Sequence, residues 1–152
     1  MRPRKNRVML VGTTTSGKTT LCQRIAKDDM SYRKTQTVNV VGGFLLDTPG
    51  EYLEKVHRHS YLLVCSYEVD VVVFVQDPTK PSSLFPPNFN TLFQPKPCYG
   101  IITKIDIATK EQIETARKYL LLAGCKEIFL LSAVTNEGVK EFLTAMGHGD
   151  DE

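Results

Sequence analysis

Short apolar runs alternate along the chain with longer segments whose apolar residues recur at helical spacing. The apolar runs predict β-strands near residues 7–11, 38–46, 69–76, 97–102 and 127–131. The second run predicts either one strand or a hairpin that turns at Gly42 and Gly43. The helical spacing predicts helices near residues 17–28, 52–66, 109–123 and 136–146. Such alternation is typical of an α/β domain whose mainly parallel sheet is covered by helices on both faces.

Local signals sharpen this prediction. The run from Val69 to Val75 is β-branched and nearly continuous, as expected of a central strand that is buried on both faces. Thr109 and Gln112 predict a capping box at the start of the third helix. Gly124 predicts the point at which that helix ends.

A proline-rich stretch interrupts the alternation between residues 78 and 97. Its prolines are Pro78, Pro81, Pro86, Pro87, Pro95 and Pro97. Proline lacks a backbone donor and clashes inside helices, so a helix in this region should be shortened or absent. The apolar residues Phe85, Phe89, Leu92 and Phe93 either cover the sheet or form a docking site. We favour the first alternative, because large exposed apolar patches are uncommon on monomers.

Composition bounds the possible functions. A chain of 152 residues with 41% hydrophobic residues fits a single domain, predicted over 1–147, followed by a frayed acidic tail over 148–152. A net charge of +2 is too small to indicate nucleic acid or membrane binding. No stretch approaches the roughly 20 apolar residues of a membrane span, and the basic start has no signal-peptide pattern. The four cysteines form no C-x-x-C pair and fit small buried residues in a reducing cytoplasm.

The segment Gly12–Thr19 carries the strongest chemical signal, because it matches the phosphate-binding pattern G-x-x-x-x-G-K-[ST] between a predicted strand and helix. Backbone N–H groups of such a loop form a cationic nest at the start of a helix. Lys18 would reach the β- and γ-phosphates, and the Thr19 hydroxyl would bind Mg²⁺. The candidate phosphate-binding residues are Gly12, Thr15, Ser16, Gly17, Lys18, Thr19 and Thr20.

The segment from Asp47 to Gly50 follows another predicted strand. Asp47 is placed to hold the Mg²⁺ shell, and the backbone N–H of Gly50 can turn toward a γ-phosphate. The same four residues are also a good β-turn sequence, but the upstream phosphate loop favours the metal-binding interpretation. We assign Lys18, Gly50 and Glu51 as candidate catalytic residues.

Two later segments predict the base that is bound. Asp106, in Thr103-Lys104-Ile105-Asp106, can accept parallel hydrogen bonds from guanine N1–H and N2–H₂, and a buried Asp106 would reject adenine. The Lys104 stem would cover the base plane. Backbone N–H groups of Ser132, Ala133 and Val134 could contact guanine O6, although that signal is weak by itself. GTP or GDP with Mg²⁺ is the predicted ligand.

These motifs, in this order, resemble those of small GTPase-like proteins over nearly the whole chain. The segments Tyr32–Gln36 and Asp47–Glu54 make the chain similar to the EutP/PduV family of ethanolamine and propanediol utilisation. The resemblance implies a three-layer P-loop NTPase fold of Ras-like topology. It also implies a cytoplasmic protein associated with bacterial microcompartments, whose shell or metabolic enzymes would be its partners.

Departures from the Ras-like pattern indicate slow turnover. Glu51 stands where Ras-like enzymes carry a water-positioning Gln, and its charge would repel the γ-phosphate. Thr14 and Thr15 replace glycines and narrow the path of an arginine finger. A threonine between the loop and Asp47 should complete the Mg²⁺ shell. We prefer Thr35, because it lies in the family-like segment Lys34-Thr35-Gln36, whereas Thr37 fits better by its sequence distance from Lys18.

The motifs favour a GTP hydrolase or switch. Two other functions stay open: a non-catalytic protein that docks on a shell or filament, and a phosphotransferase that uses a small metabolite such as a carboxylate as its acceptor. The sequence itself indicates no acceptor pocket.

Overall fold

The computed structural model of the protein describes residues 6–25, 39–41 and 43–148. Its strands are β1 (Val8–Val11), β2 (Asn39–Val41), β3 (Leu45–Asp47), β4 (Val71–Gln76), β5 (Cys98–Ile102) and β6 (Ile128–Leu130). They form a six-stranded sheet in the order β2-β3-β1-β4-β5-β6. All neighbours are parallel except β2, which runs antiparallel to β3. The mainly parallel sheet is confirmed, and the antiparallel pairing of β2 with β3 agrees with the hairpin alternative.

Helices cover both faces of this sheet. They are α1 (Lys18–Ile25), α2 (Glu51–Glu54), α3 (His59–Ser66), α4 (Lys110–Leu122) and α5 (Val139–Ala145). One apolar cluster joins α2, α3 and α4 to one face, and a second joins α1 and α5 to the other. Successive residues of β4 alternate between the clusters, with Val72 and Phe74 in the first and Val71, Val73 and Val75 in the second. This is the predicted three-layer architecture with Ras-like strand order.

The proline-rich segment contains no α-helix and instead forms a short 3₁₀ turn over Phe89–Phe93. Phe85 stacks on Phe74 of the central strand with ring centroids 4.8 Å apart. Phe89 and Phe93 lie at 5.5 and 6.0 Å from the same ring. All these rings are buried. The aromatic residues therefore cover the sheet in place of a helix, as the favoured alternative predicted.

The helix predicted over 52–66 is divided. It begins as α2, becomes extended at Lys55, passes through a 3₁₀ turn over Val56–Arg58, and continues as α3. The imidazole Nε2 of His59 lies 2.8 Å from the carbonyl oxygen of Leu53. In a continuous helix that carbonyl would accept from the backbone four residues later. The side-chain contact and the extended Lys55 together break the helix.

The predicted ends of α4 are confirmed. Thr109 accepts from the backbone of Gln112, and the Gln112 side chain accepts from the backbone of Thr109, which completes the capping box. Gly124 follows the helix with φ of +97°, a left-handed conformation that ends a helix well.

All four cysteines are free thiols. Cys22, Cys98 and Cys125 are buried as predicted, whereas Cys65 is only half-buried. Burial raises the pKa of both Cys98 and Cys125 to about 12. These thiols therefore stay protonated at neutral pH and act as small apolar residues.

The described chain ends on a packed residue. The ring of His148 stacks on Phe44 with centroids 3.7 Å apart, and its Nε2 bonds with the carbonyl oxygen of Asn6. His148 thus packs on the domain, while the acidic residues predicted to form the rest of the tail lie outside the described part of the chain.

Candidate functional site

The candidate site lies where the parallel strands end. The loops that follow β1, β3, β5 and β6 carry the predicted phosphate, metal and base residues. In open α/β sheets, the carboxyl ends of parallel strands form the edge at which ligands bind. The topology therefore brings motifs that are far apart in sequence to one side of the molecule.

Carbonyl groups of the Gly12–Thr19 loop are held in place by hydrogen bonds from nearby side chains. The carbonyl of Thr13 accepts from the Ser16 hydroxyl at 2.8 Å. The carbonyl of Thr15 accepts from Lys104 Nζ at 3.2 Å, and that of Ser16 from Thr103 Oγ1 at 2.6 Å. Carbonyl and following N–H point in opposite directions across a planar trans peptide. These contacts fix the orientation of three peptides of the loop, and the backbone N–H of Ser16 itself donates to the Thr13 carbonyl at 3.1 Å.

Gly17 is required at its position for two reasons. Its φ is +101°, in the left-handed region that side chains disfavour. A Cβ atom there would lie 3.0 Å from Thr103 Oγ1, the hydroxyl that holds the loop. The phosphate loop and the predicted base segment are thus in direct contact.

Lys18 and Asp47 face each other across this loop. The Lys18 Nζ and Asp47 Oδ1 atoms are 3.6 Å apart, and both residues are buried. Thr19, in the first turn of α1, is half-buried. A carboxylate and a hydroxyl are oxygen donors that suit Mg²⁺, which binds one or two carboxylates together with phosphates and water. Thr35 and Thr37 lie outside the described residues, so their alternative stays open.

The segment after β3 is pressed against the phosphate loop. Thr48 Oγ1 donates to the Leu10 carbonyl at 2.7 Å, which ties the segment to β1. A Cβ atom on Gly50 would lie 2.4 Å from the backbone nitrogen of Thr14. Only glycine permits this approach, as expected of a residue whose backbone N–H should face a terminal phosphate.

Glu51 does not stand free beside the loop. It begins α2, and its carboxylate forms an ion pair with the Arg58 guanidinium seven residues later. A different carboxylate, that of Glu54, contacts the phosphate loop: its Oε2 accepts from the Thr14 backbone at 2.8 Å. The sequence analysis singled out Glu51 and missed Glu54.

A cavity of about 220 Å³ lies beside the phosphate loop. It is lined by Gly17, Thr20, Leu21, Thr103, Lys104, Asp106, Ile107, Leu131, Ala133 and Val134. Most of these residues come from the predicted phosphate and base segments, while Leu21, Ile107 and Leu131 add an apolar surface. Apolar walls with a few convergent polar groups are typical of sites for small planar ligands.

Asp106 lines this cavity, and Ser132, which does not line it, holds the Asp106 carboxylate. Ser132 Oγ donates to Asp106 Oδ1 at 2.8 Å and accepts from the Thr135 backbone at 3.1 Å. The carboxylate is therefore oriented by a buried hydroxyl. The prediction that Asp106 itself is buried is wrong, because the residue is exposed; water reaches it until another molecule covers the cavity.

Arg24, which the sequence analysis missed, orients the segment after β6. Its Nε donates to the Ala133 carbonyl at 2.8 Å, and its Nη2 donates to the Val134 carbonyl at 3.0 Å. The backbone N–H groups of Val134 and Thr135, which follow these carbonyls, therefore point away from Arg24. No motif marks this residue, since its role depends on the phase of α1 relative to a loop about 110 residues away.

Asp77 is the second acidic residue that sequence reasoning overlooked. It is buried, and its Oδ2 lies 2.7 Å from Lys104 Nζ. Burial alone would raise the pKa of Asp77, but hydrogen bonds from Lys104 and Thr79 outweigh burial and hold that pKa below its usual value. The signal was available, because Asp77 follows the central strand β4 just as Asp47 ends β3.

A second cavity, of about 360 Å³, lies on the other side of the phosphate loop. It is bounded by Thr13 and Thr15 of the loop, by Glu54, and by Asp77 and the 80–85 segment of the proline-rich region. The missing helix leaves this space open. Sequence reasoning did not predict an acceptor pocket, because prolines reveal that a helix is absent but not what shape the replacement takes.

Two further findings concern only the described part of the chain. No helix there is both long and apolar enough to cross a membrane. Within the same residues, no three His, Cys, Asp or Glu side chains are grouped closely enough to hold a metal ion by themselves.

The pair between Asp77 and Lys104 yields a prediction about stability. Asp77→Asn should lower the free energy of unfolding by about 1–3 kcal/mol at neutral pH, since a buried charge-assisted bond is lost. The folded pKa of Asp77 is depressed, so its contribution is present above the unfolded pKa of about 3.9 and is lost as pH falls through the lower folded pKa. The difference between wild type and variant in urea unfolding should therefore shrink below about pH 4.

Glu114→Gln is the matched control, because it removes an exposed carboxylate paired with Arg117. Exposed pairs contribute little, so its effect should stay within about 0.5 kcal/mol. An Asp77→Asn variant as stable as Glu114→Gln at neutral pH would contradict the importance of the buried pair.

Comparison with solved structures shows the fold. The chain superposes on translation elongation factor SelB from Methanococcus maripaludis in complex with the GTP analogue GppNHp, with a TM-score of 0.66 and 19% identity. The match covers 100% of this chain and 36% of SelB. The apo form of SelB matches with a TM-score of 0.60 and 20% identity over 96% of this chain and 33% of that one. The chain thus spans about a third of SelB and has an α/β P-loop NTPase fold.

Curated relatives match over almost their full length. The chain is 37% identical to the propanediol utilization protein PduV of Citrobacter freundii over 135 residues, 89% of each chain. It is 28% identical to the probable acetate kinase EutP of Escherichia coli K12 over 90% of this chain and 86% of the relative. The family model described as ethanolamine utilisation and propanediol utilisation matches residues 5–148. The chain therefore belongs to the PduV-EutP family of ethanolamine and propanediol utilisation.

Proposed function

We propose that the protein binds guanine nucleotides with Mg²⁺ and hydrolyses GTP slowly in ethanolamine or propanediol utilisation. One observation carries this proposal: the phosphate loop and the base segment share a cavity, lined by Gly17 and Thr20 on one side and by Lys104 and Asp106 on the other. A nucleotide is a ligand whose anionic end and planar end are joined in this way.

The base end favours guanine by its hydrogen-bonding pattern. The Asp106 carboxylate, oriented by Ser132, would accept from guanine N1–H and N2–H₂. Adenine offers no such pair of donors, and an unsatisfied carboxylate under a bound base would be costly. Because Asp106 is exposed, the base itself must exclude water for this selectivity to be large.

At the phosphate end, the phosphates of a nucleotide would replace protein groups as the partners of the loop cations. The N–H groups on the inner side of the loop and the dipole of α1 favour an anion. Lys18, held 3.6 Å from Asp47, would turn its charge to the phosphates. Thr19 and Asp47 would hold Mg²⁺ with one of Thr35 or Thr37, and the ion would neutralise charge on the phosphates. Gly50, close to Thr14, would present its backbone N–H to the terminal phosphate.

Slow hydrolysis follows from the state of the groups around the terminal phosphate. The Glu51 carboxylate is engaged with Arg58, so it is poorly placed to orient water. Thr14 and Thr15 carry side chains on the exposed rim of the loop, where they hinder a group that enters from a partner. Both features support the low turnover that we infer.

The cellular setting that we propose is the cytoplasm, at a bacterial microcompartment for ethanolamine or propanediol use. This part of the proposal rests on membership of the family. Shell proteins or metabolic enzymes of the compartment are the proposed protein partners.

A second function, phosphoryl transfer to a small carboxylate, is favoured by the 360 Å³ cavity beside Thr13 and Thr15. Lys80 lines that cavity and could attract an anionic acceptor. The acceptor oxygen would form a bond to the γ-phosphorus while the bond to the β–γ bridging oxygen breaks, giving an acyl phosphate and a nucleoside diphosphate. Three of the relatives that match this chain carry the name probable acetate kinase.

Lys18→Ala tests the phosphate site. Wild type should bind GDP and GTP in preference to ADP and ATP, and the variant should lose roughly 100-fold or more in GTP affinity, because charge-assisted bonds to phosphate are strong. Isothermal calorimetry with Mg²⁺ measures both effects. Lys140→Ala, an exposed lysine on α5, is the control and should bind like wild type. Unchanged GTP affinity in a folded Lys18→Ala protein would contradict the phosphate-site assignment.

Product analysis separates the two candidate functions. With GTP and acetate, the preferred function predicts GDP and inorganic phosphate as products. Neither the addition of acetate nor the Lys80→Ala substitution should change the rate of their formation by more than about twofold. Acyl phosphate, trapped with hydroxylamine, should stay at background. Acyl phosphate that forms in wild type and is lost in Lys80→Ala would contradict slow hydrolysis as the main activity and support transfer.

A further inference from the structure

The Glu54 carboxylate lies on the phosphate loop as an anion would. Its Oε2 accepts from the Thr14 backbone N–H at 2.8 Å and from Thr14 Oγ1 at 2.9 Å. These residues are 40 positions apart, and the contact joins the end of α2 to the loop. An anionic carboxylate oxygen that accepts from a loop amide occupies a donor that a phosphate oxygen could otherwise use.

The position of Thr14 identifies which phosphate this carboxylate opposes. The base cavity adjoins the loop at Gly17 and Thr20. Thr14 lies at the other end, where Gly50 approaches so closely that a Cβ atom would be 2.4 Å from the Thr14 nitrogen. A nucleotide whose base is at Asp106 would therefore bring its terminal phosphate, rather than its proximal ones, toward Glu54.

Within the described residues, the Glu54 carboxylate forms no ion pair, although Lys80 lines the same cavity. Arg58, the nearby guanidinium, pairs with Glu51 instead. Lys18 pairs with Asp47, and Lys104 pairs with Asp77. In the described part of the chain, the Glu54 carboxylate accepts hydrogen bonds from the backbone N–H and the hydroxyl of Thr14. A second anion placed at Thr14 would be repelled by a full negative charge.

We infer that Glu54 is a specificity-determining residue that competes with the terminal phosphate and favours the nucleoside diphosphate over the triphosphate. The inference rests on the proposed guanine-nucleotide function and adds a residue that the GTPase-like motifs do not include. Thr14 takes part because its hydroxyl gives the carboxylate a second donor, which a glycine at that position would lack. Binding of a triphosphate requires Glu54 to leave Thr14, whereas a diphosphate leaves the contact in place.

Two variants test the inference by the ratio of affinities for GDP and a non-hydrolysable GTP analogue. Glu54→Gln removes the charge and keeps the shape, so the analogue should bind roughly three- to thirty-fold more tightly, with GDP affinity within about twofold of wild type. Thr14→Ala removes the second donor and should shift the ratio in the same direction by a smaller factor. Glu127→Gln, an exposed carboxylate outside the loop, should leave both affinities unchanged.

The outcomes separate this inference from the proposed function. If wild type binds GDP and Glu54→Gln leaves the ratio unchanged, or binds the analogue more weakly, Glu54 does not compete with the terminal phosphate and the inference is overturned alone. If wild type binds no GDP, the proposed function is overturned and the inference with it.

Discussion

The hydrogen bond from Thr103 Oγ1 to the Ser16 carbonyl, 2.6 Å long, is the contact on which the site depends. It fixes the peptide before Gly17, and Lys104 fixes the peptide before Ser16 in the same way through the Thr15 carbonyl. The carbonyl groups of Thr15 and Ser16 are therefore held by the base segment rather than by the loop itself. The Thr103 side chain thereby links the Gly12–Thr19 loop to the 220 Å³ cavity that it also lines.

Electrostatic pairing is the second organising feature of the site. Lys18 faces Asp47, Lys104 faces Asp77, and Arg58 faces Glu51. An anionic ligand at the loop must compete for these cations rather than meet free positive charge, and at Thr14 it must also replace the Glu54 carboxylate. Affinity at such a site reflects an exchange of partners and is smaller than a sum of new contacts would suggest. Such an exchange agrees with the slow hydrolysis that we propose.

The sequence was sufficient wherever function depends on strand ends and glycine geometry. The strands and the capping box of α4 were predicted, and Gly17 and Gly50 occupy positions that exclude a side chain. Residues whose role depends on tertiary distance were missed: Arg24 reaches Val134, 110 residues away, and Glu54, the last residue of α2, reaches Thr14, 40 residues away. The exposure of Asp106 was also predicted wrongly, since a motif specifies which group is present but not how much water reaches it. The cavity behind the loop arises from the path of a proline-rich segment, which local propensities do not determine.

The central claim is that Asp106 selects guanine at a cavity joined to the phosphate loop, and a change of base preference tests it most directly. Xanthine has an acceptor where guanine has its amino donor, so an amide at position 106 should suit it. Calorimetry with GDP and XDP should show that wild type prefers GDP and that Asp106→Asn shifts the ratio toward XDP by roughly 100-fold. A wild-type protein that binds ADP as tightly as GDP, or an Asp106→Asn variant with unchanged base preference, would contradict the account.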